Sequence, residues 1–206
     1  MPPNTAKGGE LGGLMGGRAL LYLASSVFTL VAGLIMVRLL PPQDYAAFQS
    51  LTKRVVQYVI AGVSFVEIWI VRDTIKSPAL VRRALPLAAS VLGLVGGVSG
   101  LLLVWWISGS LGAGLLAFAA GFIQGFRSIY IIVLDSLRAF KGPLARLIIR
   151  TVYALLAVLL VWIMGKGLLG ALMSYTLGVL SGSIAIFYWL RHWLMGGGGE
   201  AGLGRA

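Results

Sequence analysis

The chain has no cysteine, one histidine (His192) and six acidic residues among its 206. Without cysteine there is neither a disulfide nor a thiolate metal site. The few carboxylates are scattered, and no cluster of carboxylates or histidines suggests a metal site, so no cofactor is expected. A soluble basic domain is missing as well. The 17 Lys and Arg residues bring the net charge to +11, but they are dispersed between apolar runs. Nucleic acid is therefore not the expected partner. No small-residue cleavage site follows the first apolar run, which is also too long for the core of a signal peptide.

Long hydrophobic runs are what the chain has instead. It is 59% hydrophobic and 11% charged, with a mean hydropathy of +0.95. Such runs mark transmembrane segments. The sequence predicts an all-α, polytopic integral membrane protein of six transmembrane helices, near 19–37, 45–71, 84–107, 111–134, 147–164 and 168–190. The first of these measures about 28 Å, enough to cross the hydrocarbon. Residues 1–17 read as a flexible Gly-rich tail, 18–192 as the transmembrane lobe and 193–206 as a second Gly-rich tail. With the N-terminus inside, cytoplasmic segments hold twelve Lys and Arg and outer segments four, with Arg127 inside a span. The positive-inside rule then gives N-in and C-in, and Arg82, Arg83, Arg138, Lys141, Arg146 and Arg150 read as topology signals and contacts to anionic lipid. The expected partner on all sides is membrane lipid, in the cytoplasmic (inner) membrane.

Small residues recur at four-residue spacing in two spans: Gly93/Gly97 and Gly96/Gly100, then Gly170, Ser174, Gly178 and Gly182. Such ladders let helix backbones approach closely. In span one Tyr22, Ser25, Thr29 and Met36 share a mildly polar face, read as helix packing. In span five Arg146, Arg150, Tyr153 and Ala157 share another.

The stretch from Arg38 to Arg72 carries the clearest functional signal. Pro41-Pro42 cannot continue a helix, and Asp44 is placed to cap the next one. Beyond it Lys53, Gln57, Ser64 and Glu67 recur at offsets of 4, 11 and 14, within roughly 80° of one another on a helix. A polar stripe on a spanning helix faces partner helices or water, not lipid. Val59 and Ile70, off the stripe, are expected to face lipid. Gln124, Arg127 and Ser128 lie inside span four. An arginine exposed to lipid there costs at least about 2.5 kcal/mol, so Arg127 should face protein or water, or pair with Glu67 or Asp135.

Arg38-Leu39-Leu40-Pro41-Pro42-Gln43-Asp44-Tyr45 with Phe48 resembles the helix 1–2 junction of Wzx-like polysaccharide-biosynthesis flippases, in the multidrug/oligosaccharidyl-lipid/polysaccharide exporter superfamily. Phe65 to Arg72 and Leu137 to Arg146 resemble that family's second-span end and its basic loop between helices four and five. Pro41 and Ala46 stand where the family has glycine, and the family has two six-helix lobes where this chain has one. The resemblance implies a transporter that flips a lipid-linked oligosaccharide or polysaccharide precursor. It also implies a substrate cavity to which Lys53, Arg54, Gln57, Ser64, Glu67, Gln124 and Arg127 contribute. The missing lobe would be supplied by a homodimer or by a heterodimer with a second chain. A non-transporting membrane scaffold, or one half of a split-gene flippase, is the alternative. An enzyme is not expected. Gly97-Val98-Ser99-Gly100 matches a serine-protease pattern, but the only histidine, His192, lies beyond span six.

Overall fold

A computed structural model describes residues 6–137 and 141–195. The described chain is all helical. Helix α1 runs from Ala6 to Leu39, so residues 6–17, expected as a flexible tail, are helical. Residues 1–5 and 196–206 of the two expected tails lie outside the described residues, as does Arg138.

At Pro41-Pro42 the backbone turns, and helix α2 (Pro42–Gln49) starts with proline in its first turn. Pro41 occupies the capping position with extended backbone, and no side chain caps the helix. Asp44 sits inside the first turn, where a carboxylate favours the helix dipole, and is not the cap expected. A π-helical turn, Ser50–Val55, leads without a break into α3 (Val56–Lys76). Two hydroxyls just there compete for helix carbonyls, Ser50 Oγ donating to Ala47 O and Thr52 Oγ1 to Phe48 O. The α2–α3 run is bent by 55° near position 65.

Helix α4 (Pro78–Ser108) ends at Gly109, whose φ of 68° lets its N–H close on Trp105 O. Helix α5 (Leu111–Leu137) follows, then α6 (Lys141–Ala157) with a π-helical continuation at Val158–Ile163. Gly165 and Gly167, both at positive φ, turn the chain into α7 (Gly167–Leu194). Among the described residues five helices are long and apolar enough to cross a bilayer, and the bent α2–α3 run is a sixth where it crosses as one span. The protein is a multi-span helical membrane protein.

Packing follows the small residues. A Cβ on Gly96 or Gly121 would strike the other glycine's carbonyl, and one on Gly100 would meet Ala117 O, so α4 and α5 touch backbone to backbone. Gly178 and Gly182 of α7 lie against Ile149, Tyr153 and Ala145 of α6, and Ser174 is fully buried. Both ladders therefore pack as their spacing predicts. Helix α5 is central and touches α3, α4, α6 and α7. Val59 and Ile70, expected to face lipid, are fully buried instead. They join Leu85, Ile129 and Leu134 in one of two apolar clusters. The side of α3 that meets the bundle is its apolar side.

Candidate functional site

That orientation turns the polar stripe of α3 outward. Lys53, Arg54, Gln57, Ser64 and Glu67 are all exposed, while Val55, Val59 and Val63 face inward. The stripe does not line one cavity but is divided between two. Lys53, Arg54 and Gln57 line a cavity of about 490 Å³ with Tyr45, Gln49 and Ser50. Glu67, Gln124 and Arg127 line a second, of about 350 Å³, together with Ser128, Arg146 and Arg150. Ile60 stands on the rim of the second cavity, where the sequence stripe is interrupted. Ser64 lines neither, and its hydroxyl donates back to Ile60 O at 3.0 Å.

The second cavity is assembled by three helices. From α5, Gln124, Arg127 and Ser128 project together because they are three and four residues apart. Arg127 is 9% exposed, and its Nε and Nη2 donate to Gln124 Oε1 at 3.2 and 2.5 Å. Neither ion pair considered for it forms: among the described residues no carboxylate lies within salt-bridge reach of Arg127. Asp135 is engaged by Arg146, Nη2 to Oδ2 at 2.6 Å, while its buried Oδ1 has no hydrogen-bond partner. Gly142 makes room for that carboxylate, since any Cβ there would collide with it.

Arg146 and Arg150 were read as topology signals, and the fold gives them another place. They lie one helical turn apart on α6 and both enter the cavity. Each also reaches α1. Arg146 Nη1 donates to the Tyr22 hydroxyl and Arg150 Nη1 to Ser25 Oγ, both at 2.9 Å. The signal in the sequence was the shared face of Arg146, Arg150, Tyr153 and Ala157, matched by the hydroxyl face of span one. What the sequence did not show was that the two faces meet.

Three guanidinium groups thus border one small space within the spans. One is bound to a carboxylate; another carboxylate, Glu67, sits on the rim with no ion pair among the described residues. Burying cations without counter-ions is costly, and a phosphate or carboxylate entering the space would offset that cost. Guanidinium is suited to both, because its planar fork matches their oxygen spacing.

Elsewhere Arg82, Lys141 and Arg191 lie over aromatic rings, and Arg72 pairs with Asp73. Arg82 donates to Trp193 O at 2.9 Å and lies over that ring, and Arg191 lies over Tyr188. Ser99 spends its hydroxyl on Val95 O within α4. No group of three His, Cys, Asp or Glu is close enough to hold a metal among the described residues. No protein-family model, curated protein or solved structure is significantly similar to this chain.

Proposed function

We propose that this protein is a transporter subunit that moves an anionic, lipid-linked oligosaccharide or polysaccharide precursor across the cytoplasmic membrane. One observation carries the reading: Arg127 is buried in mid-span with no carboxylate partner among the described residues, in a cavity that also holds Arg146 and Arg150. A cation placed there for packing alone would be balanced by an acid of the same chain. The resemblance of Arg38–Tyr45 and Leu137–Arg146 to the Wzx-like flippases supports the same substrate class. No enzymatic step is proposed.

The subunit works as one lobe of two. The exposed stripe of α3, with Lys53, Arg54, Gln57 and Glu67 facing away from the bundle, supports this reading. Charged groups on an outward face within the bilayer are stable against water or protein, not lipid. Such a second lobe is a further copy or a different chain of like topology. The mass of the nanodisc-embedded complex separates a homodimer from a heterodimer. A dimer without translocation would favour a scaffold.

The test is reconstitution in vesicles with a fluorescent polyprenyl-pyrophosphate saccharide. Wild-type protein should accelerate its crossing, and Arg127→Met should abolish the acceleration while the protein stays folded. Crossing at the rate of empty vesicles with wild-type protein would overturn the proposal.

A further inference from the structure

Helix α1 is held to the bundle in two different ways along its length. Its C-terminal half is anchored by apolar packing. Ala32 and Met36 are fully buried and join Leu40, Phe48, Ala157 and Val161 in one cluster. The stretch 19–28 is not. Between positions 19 and 28 Ser25 is the single buried residue, and Leu20 and Leu23 are 67% and 65% exposed. That stretch is held by hydrogen bonds from Arg146 to Tyr22 and from Arg150 to Ser25, with the Arg146 guanidinium also over the Tyr22 ring. The donors are two of the three arginines that border the cavity.

We infer that a phosphate-class anion entering the cavity takes Arg146 and Arg150 from Tyr22 and Ser25 and so releases the 19–28 stretch of α1 from α6. The inference rests on the anion-transport reading above and adds its coupling to movement. A hydroxyl is a neutral acceptor, whereas a phosphate oxygen carries charge and pairs with the guanidinium fork in a short, bidentate geometry, so the anion is the stronger partner. Arg150 is the freer of the two, because Ser25 is its only partner among the described residues, whereas Arg146 keeps Asp135. Arg150 also borders a groove along α1 with Ser26, Thr29, Leu30 and Gly33. Its side chain stands between that groove and the cavity, so moving it joins them. An amphipathic ligand then keeps its charged head in the cavity while its chain lies sideways toward lipid. Flexure is available within α1 itself. Ser25, Ser26 and Thr29 all bond back to carbonyls of the preceding turn, which bends helices, and Gly33 has no neighbouring atom within reach of a Cβ.

Because the anion and the two hydroxyls compete for the same guanidinium groups, weakening the hydroxyl contacts must strengthen anion binding, by at most the factor by which those contacts are weakened. The test uses the full chain in zwitterionic nanodiscs, spin-labelled at Leu20→Cys and Ile184→Cys; it has no cysteine of its own. Inorganic pyrophosphate is titrated in one arm, and phosphatidic acid is included in the disc in the other. The Leu20–Ile184 distance should lengthen by several ångströms in at least one arm. Response to pyrophosphate alone assigns a soluble anion, and response to the lipid a headgroup. Tyr22→Phe with Ser25→Ala should show the long distance without ligand and bind the active anion several-fold to about tenfold tighter. If that pair does not fold, Tyr22→Phe alone should give a smaller shift of the same sign. Binding without movement, or affinity unchanged or weakened in the variant, overturns the coupling and leaves the transport reading intact. Binding in neither arm removes both.

Discussion

Arg127 is costly where it stands. Its guanidinium is buried against Gln124, and no acid among the described residues neutralises it. Replacing it by Met removes a desolvated charge and one hydrogen-bond partner of Gln124, two effects of opposite sign. We expect the stability of the solubilised protein to change by no more than about 1 kcal/mol. Pyrophosphate affinity should meanwhile fall at least tenfold by calorimetry. A collapse of the melting transition would make Arg127 a packing residue. Asp135 should behave in the opposite way. Asp135→Asn breaks a half-exposed ion pair with Arg146 and should cost roughly 1–2 kcal/mol. It also leaves the cavity one charge more positive, so the anion should bind more tightly. Weaker binding would mean that Asp135 is needed to aim Arg146.

Among the elements, the helix pairs α4–α5 and α6–α7 are set by side chains that are not there. Gly121 lies under the Gly96 carbonyl and Gly178 against Tyr153 and Ile149. A leucine at either site must push two backbones apart, and overpacking of this kind costs typically about 1–3 kcal/mol and often more. Gly121→Leu and Gly178→Leu should both lower the melting temperature clearly. Gly33→Ala should leave it unchanged or raise it, since nothing lies near a Cβ there. Melting curves of the three variants decide this. Equal behaviour at Gly33 and Gly121 would refute the close α4–α5 contact.

The whole molecule presents an apolar surface interrupted by the stripe of α3. If water or a second lobe's cavity covers that stripe, cysteines at Gln57 and Ser64 should react with a membrane-impermeant maleimide. Leu102, exposed on the apolar surface, should not react because lipid covers it, nor Val59 and Ile70 because protein does. Inert Gln57 and Ser64 in folded protein would show that the face is sealed. With α2–α3 crossing as one span, six crossings place both ends on one side, and reporters at the Gly165–Gly167 turn and at the C-terminus should then fall on opposite sides of the membrane.

Composition and spacing alone determined the class, the set of long apolar helices and both small-residue ladders. Those depend on hydrophobic length and on helical periodicity, which are local properties of a chain. The sequence also marked α3 as polar on one side, but not which side the bundle would take. Periodicity groups residues on a face without saying what that face meets, and so Val59 and Ile70 were assigned to lipid when they belong to the core. Arg146 and Arg150 were legible only as positive charge near a helix end, which topology signals also show. Their contacts with Tyr22 and Ser25 join positions more than a hundred residues apart, and the same packing brings them to Arg127. Only the packing of α1, α5 and α6 decided that contact, because the helices associate through shape and hydrogen bonding that no single segment encodes.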